Sequence, residues 1–154
     1  LLTGLVPTAP AAEDVYTPLM LYNGTWQVTH KDSPKPDTMV NQCLKVGHFV
    51  TCDQSVNGGP SALLVFIPRV DKPGYYYTQN IRPEGRATSR GDLEINGDVW
   101  TFLSNWDNGG HSTFYRTVNT FVGKTRIKYE QSESANNKDW TMTNSGEETR
   151  VSRR

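Results

Sequence analysis

From Tyr22 onward the chain keeps one rhythm: short runs rich in β-branched and aromatic residues, each cut by Gly, Asn, Asp or Pro. The cuts fall at Asn57-Gly58-Gly59-Pro60, Asp71-Lys72-Pro73-Gly74, Asn96-Gly97, Asp107-Asn108-Gly109-Gly110 and Asn136-Asn137. Strands are expected over 22–30, 39–46, 49–56, 62–69, 74–81, 88–95, 99–106, 112–122, 125–133 and 140–150. Strands this short and this evenly punctuated define an all-β sandwich or barrel. Apart from 15–22, where one helical turn fits, no segment keeps a 3.6-residue period, and no longer self-repeat divides the chain.

Length and charge narrow the function classes. At 154 residues the chain fits one domain, and its 5 Phe, 7 Tyr and 4 Trp supply a core. Sixteen Lys and Arg balance 16 Asp and Glu, so no long-range field draws nucleic acid or anionic lipid. No apolar run reaches the roughly 18–20 residues of a transmembrane span. The opening Leu1 to Ala12 is apolar, small and Pro-rich, and Ala9-Pro10-Ala11 has the small-x-small pattern of a secretory cleavage site. Residues 1–14 are therefore expected to be a signal-peptide remnant or leader arm, and 15–154 the barrel domain.

Cys43 and Cys52 point to the same compartment. A two-residue type II′ turn at Gly47-His48 would pair Val46 with Phe49, Lys45 with Val50, Leu44 with Thr51 and Cys43 with Cys52. The cysteines then face each other at a non-hydrogen-bonded pair, where a disulfide can bridge. Free thiols or half a metal site fit less well, because no CxxC spacing or second cysteine pair is present. A disulfide implies an oxidising compartment, so the expected location is periplasmic or secreted.

Two further hairpins assign inside and outside. A turn at Asn96-Gly97 pairs Ile95 with Asp98 and Leu93 with Trp100, putting Leu93, Ile95, Trp100 and Phe102 on one face. A turn at Gly123-Lys124 opposes Val118 to Tyr129, Arg116 to Gln131 and Phe114 to Glu133. That register sends Phe114, Arg116, Val118, Ile127, Tyr129 and Gln131 inward. One apolar face and one charged face suit a closed antiparallel barrel. The run 62–67 is apolar on both faces, so something is expected to cover its outside: the arm, a helix, a second copy or a protein partner.

With these residues in hand, the chain resembles the lipocalins and related calycin barrels, whose first strand opens on Gly-x-Trp, here Gly24-Thr25-Trp26. It is similar in particular to bacterial lipocalin-like domains of unknown function. The matching residues run in order through Cys43, Gly47, Cys52, Gly109, Gly110, Arg116, Tyr129, Glu130, Ser132, Lys138 and Trp140. The Pro-rich 33–36 insertion departs from that pattern. The resemblance implies a single up-and-down barrel of eight to ten strands, open at one end, with Arg150 packed over Trp26 at the closed end. It implies no established reaction.

Catalytic signatures are sparse. His30, His48 and His111 fall at expected strand ends or turns, without a motif shared with nearby carboxylates, and no cofactor or metal site is expected. No nucleophile elbow or nucleotide-binding loop occurs. Two function classes remain, with enzymatic chemistry a lesser third. In the first, the cup binds a small, mostly apolar or amphiphilic molecule. Trp26, Tyr75, Tyr77, Trp100, Phe102, Phe114 and Tyr129 are its candidate walls, and Arg116 is a handle for an anionic head group. In the second, aromatics fill the cup and the protein is a structural or interaction module, alone or as a homo-oligomer, using the 62–67 strand. An internal space of about 300 Å³ or more favours the first.

Overall fold

The computed structural model describes residues 14–151. A 3₁₀ turn over Pro18–Tyr22 leads into ten strands: β1 (Gly24–His30), β2 (Ser33–Val46), β3 (Phe49–Val56), β4 (Gly59–Pro68), β5 (Tyr75–Ile81), β6 (Gly91–Asn96), β7 (Val99–Asn108), β8 (His111–Val122), β9 (Arg126–Ser134) and β10 (Thr141–Arg150). Each strand pairs antiparallel with its sequence neighbour, and β10 closes on β1. The fold is thus a closed up-and-down barrel, and closure removes the sheet edges that an open antiparallel sheet would expose. The Pro-rich 33–36 stretch is the start of β2, reached by a tight turn after His30. The leader arm expected over residues 1–14 lies, but for Asp14, outside the described residues.

One end is plugged. Leu19, Tyr22, Trp26, Trp100 and Phe121 are buried there. Tyr22 packs against Trp100 and Phe121 at ring-centroid distances of 5.2 and 6.0 Å, and Trp100 lies 4.7 Å from Phe121. Rings at these separations in tilted or edge-on geometry attract beyond their area burial. Trp26 donates from its indole N–H to the Tyr22 carbonyl at 3.0 Å, which ties the 3₁₀ turn to the first strand. The Arg150 guanidinium lies 4.2 Å from the Trp26 ring and donates to the carbonyls of Leu21, Asn23 and Lys124.

Gly24 has a physical reason. Its φ is +130°, where side chains are strained, and a Cβ there would stand 2.7 Å from Arg150 Nη1. The Gly-Thr-Trp opening is thus one half of a lock of which Arg150 is the other.

The Cys43–Cys52 hairpin forms with the expected register, Val46 opposite Phe49 through Cys43 opposite Cys52, and the sulfurs are bonded. The second expected hairpin shifts. Asn96 pairs with Val99 and Ile95 with Trp100, so the turn is Gly97-Asp98 rather than Asn96-Gly97. The shift moves Ile95's partner by two residues, so Leu93, Ile95, Trp100 and Phe102 still share the inner face.

The third hairpin shifts by one residue, which inverts the faces of β8, while Ile127, Tyr129 and Gln131 of β9 face inward as expected. Val118 pairs with Glu130, Asn119 with Tyr129 and Phe121 with Ile127, leaving a three-residue loop at 123–125. Arg150 explains the extra residue: its backbone N–H donates to the Thr125 carbonyl at 2.8 Å and its Nε to the Lys124 carbonyl at 3.0 Å. Those peptide groups are drawn to the plug and not into the hairpin ladder. Phe114, Arg116 and Val118 therefore face outward, whereas Thr117, Asn119 and Phe121 face in.

Outside, β4 keeps its two apolar faces. Leu63 and Ile67 are 38% and 45% exposed, and Leu44 and Val46 of β2 are 62% and 39% exposed.

The hairpin and the plug each yield a stability test. Replacing both cysteines by serine should cost about 2–3 kcal/mol by freeing a short closed loop in the unfolded chain. Trp26→Ala should cost about 3–5 kcal/mol by opening a cavity in the plug. Urea unfolding of the variants reads both; a loss below about 1 kcal/mol for Trp26→Ala would mean the plug does not hold the barrel.

Candidate functional site

Above the plug the barrel is hollow. A cavity of about 340 Å³ lies between the strands, within the range of roughly 300–1,000 Å³ typical of small-molecule sites. Its apolar wall comes from Val28, Met39, Val56, Leu64, Phe66 and Phe102, and its polar wall includes Tyr22, His30, Asp37, Asn119, Tyr129, Asn144 and Glu148.

Strand alternation builds the polar wall. On β10, Arg150 points into the plug, so Glu148, Gly146 and Asn144 follow it up the inner face at two-residue steps. On β1, Trp26, Val28 and His30 do the same. Gly146 has no room for a side chain: a Cβ would meet the Thr29 carbonyl oxygen at 1.8 Å and the Tyr129 hydroxyl at 2.8 Å. This bare position lets Tyr129 reach the end of β1.

There His30 bridges two partners. Its Nε2 lies 2.8 Å from Asp37 Oδ2 and its Nδ1 2.6 Å from the Tyr129 hydroxyl, which also lies 3.1 Å from the Thr29 carbonyl. Asn57 donates to the other Asp37 oxygen at 2.7 Å. Hydrogen bonds from Asn57 and then His30 hold the Asp37 carboxyl below its ordinary pKa. Burial raises the Tyr129 phenol, and the Glu148 charge adds to that effect. The Asp37–His30–Tyr129 chain can orient a polar group of a ligand.

Glu148 stands apart from that chain. It is 8% exposed, its strand neighbours are Val28 and Ile127, and its Oε2 is buried without a hydrogen-bond partner. Burial alone lifts its pKa from 4.5 to about 7. Tyr22, wholly buried, is pushed well up by burial and then by the Glu148 charge, while Asn119 donates to its hydroxyl. Two more buried oxygens on the cavity wall lack partners, Asn119 Oδ1 and Asn80 Oδ1. In the core Asn41 Nδ2 is likewise unpaired.

The expected site residues divide three ways. Phe102 and Tyr129 line the cavity. Trp26 and Trp100 are buried in the plug beneath it and do not line it. Tyr75, Tyr77, Phe114 and Arg116 are corrections, since all four lie on the outer face. Tyr76, not its neighbours, turns inward, buried and donating to the Val15 carbonyl at 2.7 Å. Arg69 and Arg90 pack on the Tyr77 ring, and the Arg116 guanidinium lies 4.5 Å from the Trp140 ring. Arg116 thus does not line the cavity, and neither does any other Arg or Lys.

His30 is a further correction: it shares hydrogen bonds with a carboxylate inside the barrel. The missed residues were open to detection, because alternation from Trp26 leads to His30 and from Arg150 to Glu148. Among the described residues, no group of three or more His, Cys, Asp and Glu side chains could hold a metal ion, and no helix is long and apolar enough to cross a membrane.

Comparison with known proteins places the fold. No protein-family model matches the chain. No curated protein sequence matches it either. Among solved structures, an S-type phycobiliprotein lyase from Guillardia theta is similar at TM-score 0.56 and 8% identity, covering 91% of this chain and 94% of the lyase. Rv2717c from M. tuberculosis is similar at TM-score 0.51 and 16% identity, covering 94% of this chain and 99% of that one. The chain thus has a calycin-like, ten-stranded β-barrel fold, as its resemblance to lipocalin-like domains implies.

The buried carboxyl gives a signed pH dependence. A folded-state pKa above the unfolded one means the native state holds the extra proton. Stability is then greatest below pH 4.5 and falls as the pH rises through about 7, by about 3 kcal/mol for this one group. Glu148→Gln removes the term. Chemical denaturation at about pH 5 and pH 8 should show the variant gaining on the wild type at the higher pH; an unchanged difference would mean the carboxyl is solvated.

Proposed function

We propose that the protein binds a small, mostly apolar molecule inside its barrel. The observation that carries this reading is the cavity of about 340 Å³ above a packed plug, with an apolar wall and a few buried polar groups converging on one side. A barrel filled by its own aromatics would have no such space, and here Trp26, Trp100 and Phe121 fill only the closed end. At 8% identity the lyase lends its fold and not its substrate, so the ligand is argued from this cavity alone. The Cys43–Cys52 disulfide supports a periplasmic or secreted location. The exposed Leu63 and Ile67 of β4 support a second use of the outer wall, as a contact with another copy or a protein partner.

Native mass spectrometry of the protein purified from its own source tests both uses, since it reads bound mass and subunit count together. A small-molecule adduct that disappears on denaturation is expected. Thr117→Trp, which projects a large ring into the cavity, should abolish the adduct while the disulfide and the folded signal persist. A monomer without adduct, unchanged by Thr117→Trp, would contradict the binding reading.

A further inference from the structure

We infer that the cup selects ligands carrying a protonated amine or amidine on an apolar body, with the Glu148 carboxylate as the anchor. The inference rests on the binding reading above and specifies its head-group chemistry.

The cavity wall holds buried acceptors that lack a donor. Its buried unpartnered side-chain atoms are Glu148 Oε2, Asn119 Oδ1 and Asn80 Oδ1, and all three are acceptors. A ligand bearing only acceptors would leave them unmade and add its own desolvation, whereas a donor-rich group satisfies them. Charge points the same way. A buried carboxylate without a partner is costly, and a cation that arrives with the ligand supplies the missing partner.

Arg150 and His30 are both engaged elsewhere. Arg150, two residues along β10, is turned down onto Trp26 and three backbone carbonyls. His30 has one ring nitrogen on Asp37 and the other on Tyr129. The other titratable groups around Glu148 are Tyr22 from the 3₁₀ turn and Tyr129 from β9, with Asp37 of β2 on the same cavity wall, and none of them is a cation.

The carboxyl also acts as a gate. Because burial holds its pKa near 7, Glu148 changes charge where an aliphatic amine stays protonated. Affinity for an amine should therefore rise as the pH climbs through neutrality, while affinity for a neutral ligand of the same shape stays level.

Isothermal titration of the full chain with 2-naphthylmethylamine, 2-naphthylmethanol and 2-naphthoate tests this, since the three share one apolar body. At about pH 8 the amine should bind roughly tenfold or more tighter than the alcohol, with the acid weakest. At about pH 5.5 the amine's advantage should shrink to within about threefold. Glu148→Gln should remove the amine's advantage over the alcohol at both pH values. The wild-type pH series carries the test by itself should that variant misfold. An alcohol or acid that equals the amine at about pH 8 would overturn the head-group inference and leave the cup reading standing. Failure of all three probes to bind would overturn both.

Discussion

The contact between Arg150 and Trp26 sits where the first and last strands meet, and much of the molecule is arranged around it. The guanidinium covers the indole at 4.2 Å and donates to carbonyls of Leu21, Asn23 and Lys124. A half-buried arginine uses those acceptors to offset the water it loses, and that desolvation lowers its pKa. In meeting that need it joins the 3₁₀ turn, the first strand, the last strand and the β8–β9 loop. Gly24 is bare because the guanidinium occupies the space of a Cβ. The barrel thereby acquires one closed end and a fixed phase for its first and last strands.

That phase reaches the site by strand alternation alone. With Arg150 in the plug, Glu148 must sit one layer higher and Asn144 near the opposite end, while Trp26 below sends His30 to the level of Tyr129. The plug is therefore also the reference from which the polar wall is placed. Its aromatic rings exclude water beneath Glu148, and the raised carboxyl pKa follows from that exclusion rather than from a neighbouring charge.

The ten-strand architecture and the disulfide hairpin were legible because turn chemistry states them locally. Gly47 has positive φ and His48 does not, as a type II′ turn requires, and no distant contact disturbs that hairpin. The inner surface was legible only where local turn chemistry survived tertiary demands. At the Gly123 turn the loop is set by Arg150, some 26 residues away along the chain, which takes the Lys124 carbonyl. One extra loop residue then reverses every side chain on β8, so Arg116 stacks on Trp140 outside the barrel. Tyr75 and Tyr77 were ambiguous for a simpler reason: in a run of three tyrosines, composition does not say which parity faces in. Glu148 and His30 could have been found by counting in twos from the plug residues. They are charged or titratable, and burial of such groups is not what a hydrophobic pattern leads one to expect.

The chemistry of the cup depends on Glu148, whose Oε2 is enclosed by the barrel without a hydrogen-bond partner. Its side-chain carboxyl carbon, followed by carbon-13 NMR across a pH titration and assigned with Glu148→Gln, reports that state directly. The structure predicts a midpoint near pH 7. A midpoint near the ordinary 4.5 would place the carboxylate in water and contradict the account.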